Sequence, residues 1–367
     1  MTTTSAPSPT LALAGFTRDT LPGRIVYRDG ALDDVRDELE RLGARRVMLI
    51  VAEYDDHLTE QALLAVADRP HAVWDEIRQH VPRELAERAA AAATAKDVDA
   101  LVTVGGGSTI GLGKAVAVST GLPLVCVPTT YSGSEMTPIY GLTSDNDKRT
   151  ARDARALPKV VIYDPQLLVT LPADVVGPSG MNALAHCAEA LWAPGPDPIT
   201  NALALDGARR INRHLRTAYR EADVAARGQV LIAACLAGTA LGTVGTSIHH
   251  ALCHLLGGMY DTPHALTHAI VLPYAVKFVR PAVPGAVARL AAAMDTVSEE
   301  LPAAIWSLGR SVGTPQGLRA IGISESQVEQ AVEVALAKGL TSPRPLNRSL
   351  AHRLLDGAWR GMSPSVP

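Results

Sequence analysis

Histidines crowd into one short stretch of this sequence, at spacings that could support chemistry. Four of the 11 histidines fall within residues 246–264. His250 and His254 are four residues apart, so on a helix they project from the same face. Gly257-Gly258 is expected to end that helix, and a Thr-Pro turn then returns His264. Imidazoles transfer protons near neutral pH and ligate metals. Satisfied core histidines or a solvated helix face are the alternatives, but burying several polar rings without a use is costly.

A glycine-rich loop in the first third of the chain has the composition of a phosphate-binding turn. It lies between an apolar run at 100–104 and a helical pattern at 110–120, and it consists of Gly105, Gly106, Gly107, Ser108 and Thr109. Backbone N–H groups in such a loop, together with a helix N-terminus, bind phosphate. The loop is neither GxGxxG nor a Walker A motif. A nucleotide pyrophosphate is the expected ligand, and a purely structural turn is the alternative.

Two further segments could bind the rest of a nucleotide. Thr129, Thr130 and Ser134 belong to a hydroxyl-rich segment that also follows an apolar run, and hydroxyls of this kind bind ribose and phosphate. Glu53 follows the apolar run 47–51, where a carboxylate could accept hydrogen bonds from a ribose with a free 2′-OH. An exposed glutamate at a strand end is the alternative for Glu53. Ligands of open α/β sheets bind at the carboxyl ends of the strands.

Asn182 and His186 add a second pair of side chains spaced four residues apart on a predicted helix. A carboxylate with three histidines would indicate a site for zinc or ferrous iron. Asparagine instead offers a neutral carbonyl, which does not offset the charge of the ion. A divalent metal is therefore possible here, but we do not expect it to be required.

Cationic side chains that could hold an anionic substrate occur in two places. Residues 147–155, followed by Lys159, concentrate lysine and arginine in what we expect to be a loop before a strand. Arg344 lies between two prolines, on a stiffened segment. Arginine binds carboxylate and phosphate in a bidentate manner. A solvated surface run is the alternative for residues 147–155.

The elements that must position these residues divide the chain into two parts. Short apolar runs alternate with helical patterns up to about residue 172, which predicts a parallel, doubly wound sheet. Beyond that point the patterns are helical only. We therefore predict an α/β dinucleotide-binding domain, residues 1–172, followed by an all-helical substrate and catalytic domain, residues 173–367.

Composition narrows the class of protein. A net charge of −3 and an aromatic content of 4% argue against a nucleic-acid partner. The four cysteines are scattered, which suits a reducing cytoplasm. Neither a signal peptide nor an apolar stretch of membrane-spanning length is expected, since charges or prolines interrupt each candidate. The composition predicts a cytoplasmic enzyme with no membrane partner.

Five ordered motifs resemble the iron-containing (group III) alcohol dehydrogenases over almost the whole chain. They lie at residues 105–108, 128–130, 133–135, 180–186 and 250–264. The resemblance implies a Rossmann-like domain and a helical domain in a dehydroquinate synthase-like architecture, with NADH or NADPH in the cleft between them. The family's metal ligands would fall on Asn182, His186, His250 and His264, with His254 near the nicotinamide. The sequence departs from the family at Asn182 and Gly111, where aspartate is usual.

Those departures, with segments 105–114, 128–138 and 157–165, resemble the maleylacetate reductase branch of the family. The branch implies reduction of the C=C bond of maleylacetate (4-oxohex-2-enedioate) to 3-oxoadipate during breakdown of aromatic compounds, by a homodimer with no obligatory metal. His254 would deliver a proton, and His250, His264 and His186 would polarise the substrate. Lys159 would join the cofactor site, and Asn182, Tyr131 and Arg344 would contact the dicarboxylate substrate.

Several other functions stay open at this point. A metal-dependent alcohol dehydrogenase of the same family would bind zinc or iron stoichiometrically. A reductase of the same branch could act on a related enoyl or oxo acid. A lyase of the dehydroquinate-synthase type would release phosphate from its substrate. A non-catalytic binding protein on this fold is the remaining alternative.

Overall fold

The computed structural model describes residues 23–52, 56–144, 147–195 and 197–364. A six-stranded sheet lies at the centre of the first part, in the order β1-β8-β5-β4-β2-β3, and its neighbouring strands are parallel. Its members are β1 (Arg24–Tyr27), β2 (Val47–Val51), β3 (His71–Trp74), β4 (Ala100–Gly105), β5 (Leu124–Pro128) and β8 (Val160–Tyr163). The predicted parallel sheet is confirmed.

Helices cover both faces of this sheet. They are α1 (Val35–Arg41), α2 (Asp56–Val66), α3 (Arg83–Ala95) and α4 (Gly107–Thr120). Alternate residues of β2 show the two layers, because Leu49 packs in the core formed with α1 and α2, while Met48 and Ile50 pack with α3 and α4. A strand buried on both faces reads as an unbroken apolar run, which is why β2, β4 and β5 were predictable.

The second part of the chain consists of helices joined by loops, with no strand among its described residues. Its members are α5 (Ala173–Ala190), α6 (Pro198–Glu221), α7 (Val224–Val244), α8 (Ile248–Tyr260), α9 (His264–Val279), α10 (Pro284–Ala293), α11 (Leu301–Ser311), α12 (Glu325–Lys338) and α13 (Arg348–Arg360). The predicted fold class is therefore confirmed. The division at residues 172 and 173 stays a prediction, although α5 begins there.

Three local predictions were wrong. Residues 147–152 are a strand, β7 (Asp147–Arg152), which pairs with β6 (Ile139–Ser144) in an antiparallel hairpin rather than forming a loop. Charged side chains suit such a hairpin because it leaves one face open to water. Gly257-Gly258 does not end α8, which continues to Tyr260 and is terminated by Asp261 in the left-handed conformation at φ 51°. The helix α9 was also missed.

Helix α7 corrects the expectation that charges or prolines interrupt every apolar stretch. It is 21 residues long and apolar enough to cross a membrane by length and composition. In the structure 67% of its apolar window is buried inside the protein, and it packs against α5 and α6. Burial of this extent is typical of a core helix.

Candidate active site

The two predicted nucleotide loops meet at the carboxyl edge of the sheet. Helix α4 begins at Gly107, earlier than expected, so the N–H groups of its first turn lack intrahelical acceptors and can bind an anion. Gly105 has a φ of +154°, and a Cβ there would lie 2.6 Å from the Thr109 hydroxyl oxygen. A Cβ on Gly106 would lie 3.0 Å from the Thr130 methyl carbon. Glycine at 105 therefore lets the first loop fold back on Thr109, and glycine at 106 lets it approach the second loop closely.

A buried lysine on α4 is hydrogen-bonded to the second of these loops, residues 129–134. Lys114 on α4 is fully buried, and its ammonium group donates to the Ser134 carbonyl at 2.8 Å and to the Thr137 hydroxyl at 3.1 Å. Burial lowers the pKa of Lys114 to about 8. The neighbouring Glu135 is also fully buried, accepts a hydrogen bond from the Tyr163 hydroxyl at 2.8 Å, and has its pKa raised by burial. The loop is thus held by groups that its hydroxyl pattern did not reveal.

Three helices bring the histidines together. His186 on α5 stacks on His250 of α8 with ring centroids 4.9 Å apart, and His250 lies 5.9 Å from His254. His264 begins α9 and lies 6.0 Å from His254. The structure therefore gathers the four predicted imidazoles, and Asn182 lies one turn before His186 on α5.

Glu189 fixes the orientation of His250. Its carboxylate accepts from His250 Nδ1 at 2.7 Å, from the Ser247 N–H at 3.0 Å and from the His249 N–H at 2.7 Å. It therefore caps the N-terminus of α8, where negative charge is favourable. Because Nδ1–H donates to this carboxylate, the other nitrogen of a neutral His250, Nε2, presents a lone pair to the site.

Several buried polar atoms of the cluster lack a hydrogen-bond partner within the described chain. They are Asn182 Oδ1, His186 Nδ1, His250 Nε2 and both ring nitrogens of His268. Burial, with smaller contributions from the neighbouring imidazoles, lowers the pKa of His186, His250 and His268 well below the ordinary value. All three rings are therefore neutral at pH 7. Unpartnered buried groups cost free energy, which indicates a site built for a ligand.

The family's four metal ligands do not come together as a set. Among the described His, Cys, Asp and Glu side chains, two groups of three bring their ligand atoms within 4.8 Å of one another: His249 with His250 and His268, and His254 with His264 and His268. Neither group contains His186, and neither joins His250 to His264. Asn182 also contributes no negative charge. This arrangement does not fit a metal held by Asn182, His186, His250 and His264.

Three predicted site residues lie elsewhere or outside the described chain. Glu53 falls outside the described residues. Lys159 precedes β8, level with Leu124 at the amino edge of the sheet, about 16 Å along a strand from the loop at Thr129. Its side chain cannot span that distance, so its cofactor role was wrong. Tyr131 is fully buried in the hydrophobic core, so it cannot contact a substrate without moving.

Arg344 does not reach the imidazoles either. Its guanidinium donates to the Phe278 carbonyl at 2.8 Å and lies over the Phe278 ring. Phe278 is fourteen residues along α9 from His264, about 21 Å away in a helix. The structure therefore argues against Arg344 as the anchor of a substrate at the histidine cluster.

The sequence analysis missed three residues of the histidine site, and it also missed the buried lysine that holds the second nucleotide loop. Glu189 was hidden because its partners lie about 60 positions away in the chain. His249 lies within residues 246–264 but was not assigned a role, and His268 could have been found from its spacing of four from His264. Lys114 gave no signal, because a lysine in a helix is normally exposed.

The comparisons agree with this geometry. Residues 22–165 match the model of the iron-containing alcohol dehydrogenases, and residues 177–359 match the C-terminal model of the Fe-containing alcohol dehydrogenase family. The chain belongs to the iron-containing alcohol dehydrogenase family. Within it, the chain is 43% identical over 346 residues to maleylacetate reductase 2 of Cupriavidus pinatubonensis, covering 94% of this chain and 96% of that one.

Solved structures from the family superimpose closely. The maleylacetate reductase from Agrobacterium tumefaciens is 38% identical, with a TM-score of 0.90 over 96% of this chain and all of that one (100%). A 1,3-propanediol oxidoreductase is 28% identical, with a TM-score of 0.88 over 94% of this chain and 100% of that one. The fold of this chain is thus typical of the family over nearly its whole length.

Proposed function

We propose that this chain reduces the C=C bond of maleylacetate to 3-oxoadipate, using NADH or NADPH as hydride donor. The observation that supports this most is the near-complete match to maleylacetate reductases, at 43% identity in one case and 40% over 95% of the chain in another. A neutral Asn182 beside three buried, neutral imidazoles suits a dianionic substrate, because no carboxylate there repels it.

The nucleotide would bind along the loops that end β4 and β5. The pyrophosphate would lie against the N–H groups of Gly107 and Ser108 in the first turn of α4, with Thr130 beside them. The loop 129–134 packs directly on α7. The approach is so close that a Cβ on Gly238 of α7 would lie 2.1 Å from the Gly133 carbonyl oxygen. Since α7 leads into α8, this contact supports a nucleotide whose nicotinamide end would lie toward the histidines.

In the proposed reaction, bound NADH or NADPH would supply a hydride from its nicotinamide, and the alkene carbon remote from the ketone would accept it. The electron pair of the C=C bond moves to give an enolate on the ketone oxygen, and a proton then adds to the adjacent carbon. Maleylacetate, NADH and one proton thus give 3-oxoadipate and NAD⁺. His254, half-buried on α8, is the proposed proton donor.

The enolate oxygen needs hydrogen-bond donors, each worth about 3 kcal/mol in a preorganised site. His250 was expected to be one, but its Nδ1–H is engaged by Glu189, so a neutral ring offers the oxygen only a lone pair. An N–H of His264 is the better candidate, because its ring is exposed and borders that of His254. A divalent ion is not required in this scheme.

A cation is needed near each substrate carboxylate. Arg152 on β7 is the proposed partner for one of them, because its guanidinium crosses to the helical part and donates to the Gly242 carbonyl near the end of α7. The protein is also proposed to act as a cytoplasmic homodimer without nucleic-acid or membrane partners. Light scattering of the purified protein tests the dimer.

The proposed reaction is tested by product analysis. Purified protein should oxidise one NADH or NADPH for each maleylacetate consumed and form 3-oxoadipate. The same preparation should show at least a hundredfold lower kcat/KM for 1,3-propanediol with NAD⁺. Alcohol oxidation without maleylacetate reduction would instead make the chain a metal-dependent alcohol dehydrogenase, a function favoured by its similarity to the propanediol enzyme.

A further inference from the structure

His268 is the ring on which the histidine cluster centres. Its centroid lies 4.2 Å from that of His264, 4.4 Å from His250, 4.9 Å from His249 and 5.9 Å from His254. The ring is fully buried, and neither of its nitrogens has a hydrogen-bond partner within the described chain. An imidazole buried in this way loses its hydration without compensation, so a ligand is expected at its nitrogens.

Two groups of three imidazoles share His268, and they differ in accessibility. In the first, His249 Nε2 is 3.0 Å from the His268 carbonyl oxygen and His250 Nδ1 is held by Glu189. All three rings of that group are buried. In the second, His264 is exposed and His254 is half-buried, so the group opens toward solvent on one side. A ligand can enter the second group without displacing Glu189.

We propose that His254, His264 and His268 form a binding site for a divalent transition-metal ion such as zinc or cobalt. Three imidazoles with an open fourth position are a common zinc ligand set, and imidazole suits both ions. Metal–nitrogen bonds of 2.0–2.1 Å require ligand atoms about 3.4 Å apart in a tetrahedron. The three atoms lie within 4.8 Å of one another, so movements of the rings by about an ångström would close the site around an ion.

This site differs from the family's set in two ways. It contains neither Asn182 nor His186, and its ligands all lie on the α8 and α9 pair. An ion there would also occupy His254, to which the proposed function assigns proton delivery. The ion should therefore inhibit reduction instead of supporting it. This expected inhibition rests on the proposed function, whereas the metal site itself does not.

Cobalt titration tests the site without reference to activity. Chelator-treated full-length protein is titrated with Co²⁺, and the visible absorption of tetrahedral cobalt is recorded. We expect one ion per chain, at least a tenfold loss of affinity in His268→Asn and in His264→Asn, and less than a twofold change in the matched variants Asn182→Ala and His186→Asn. Since His264 is exposed, its variant tests the site even if His268→Asn does not fold.

Two results would overturn the site. One is wild-type protein that binds no cobalt. The other is a tenfold loss in Asn182→Ala or His186→Asn while His268→Asn binds normally, which would restore the family's ligand set. Inhibition is measured separately, by recording the rate of maleylacetate reduction as the site is filled with Zn²⁺. Undiminished turnover at full occupancy would disprove the inhibition. Absence of reduction in metal-free protein would refute the proposed function and leave the cobalt result intact.

Discussion

Glu189 and His250 are joined by a 2.7 Å hydrogen bond between two buried side chains. The same carboxylate receives the backbone N–H groups that begin α8. One acidic residue on α5 therefore sets both the start of α8 and the tautomer of an imidazole in the site.

Replacement of Glu189 by glutamine should impair both roles. Glutamine keeps only one acceptor oxygen: with that oxygen on the His249 N–H, its NH2 group faces His250 Nδ1 and donates to it, so the ring proton moves to Nε2. We expect unfolding free energy to fall by about 2 kcal/mol, and the imidazole ¹⁵N shifts of His250 to report the other tautomer. The matched control is Glu329→Gln, since Glu329 also lies 2.7 Å from a histidine, His352, but both are exposed. That variant should change stability by less than about 0.5 kcal/mol, and equal losses in both variants would contradict the assigned role.

Replacement of Asn182 by aspartate should disfavour the substrate. A carboxylate within a few ångströms of a dianion costs at least about 1 kcal/mol and several times that in a buried site, so kcat/KM for maleylacetate should fall tenfold or more. Asn347→Asp, at the N-cap of α13, is the control and should leave kcat/KM unchanged, because both residues are good caps. Unaltered kinetics in the Asn182 variant would exclude Asn182 from the substrate's surroundings.

Replacement of Arg152 by methionine should raise KM for maleylacetate about tenfold, because a charged hydrogen bond to a carboxylate is worth about 1.5–3 kcal/mol. Steady-state kinetics measure the effect. Arg155→Met is the control, since Arg155 is exposed and paired with Asp153 at 2.6 Å, and its KM should change less than twofold. If the two variants behaved alike, Arg152 would not be a substrate anchor.

The pH dependence of stability should report the burial of Lys114. Burial lowers its pKa to about 8 from the ordinary value of 10.5. Between these values the unfolded chain binds the proton and the folded chain does not, so Lys114 makes stability increase with pH, by about 3 kcal/mol in total. Denaturant unfolding of wild type and Lys114→Met between pH 7.5 and 10 measures this slope. The variant should lack it, and parallel curves would contradict the shifted pKa.

Sequence patterns predicted the sheet well because β2, β4 and β5 are buried on both faces, which leaves an unbroken apolar run. They failed where tertiary packing overrides local preference. The Gly257-Gly258 pair continues a helix because α8 packs on α9, and the charged segment 147–152 forms a strand because β6 pairs with it. Helix α9 was obscured by Pro273 within it.

The candidate site was predictable as far as spacing along one helix allowed. Residues spaced i, i+4 on a helix, together with one turn, predicted that four imidazoles lie close together: His186, His250, His254 and His264. The contacts of Glu189 with α8 and of Lys114 with Ser134 link residues on different elements, and no local pattern encodes them. The roles predicted for Lys159 and Arg344 failed for the same reason. A positively charged residue type does not indicate which side of the fold the side chain will lie on.

The most direct test is NADH or NADPH oxidation with maleylacetate by chelator-treated protein whose metal content has been measured. We predict full turnover and formation of 3-oxoadipate by metal-free protein, because the imidazoles and Asn182 act without an ion. No turnover of maleylacetate, together with alcohol oxidation that appears only after zinc or iron is added, would contradict the proposed reduction.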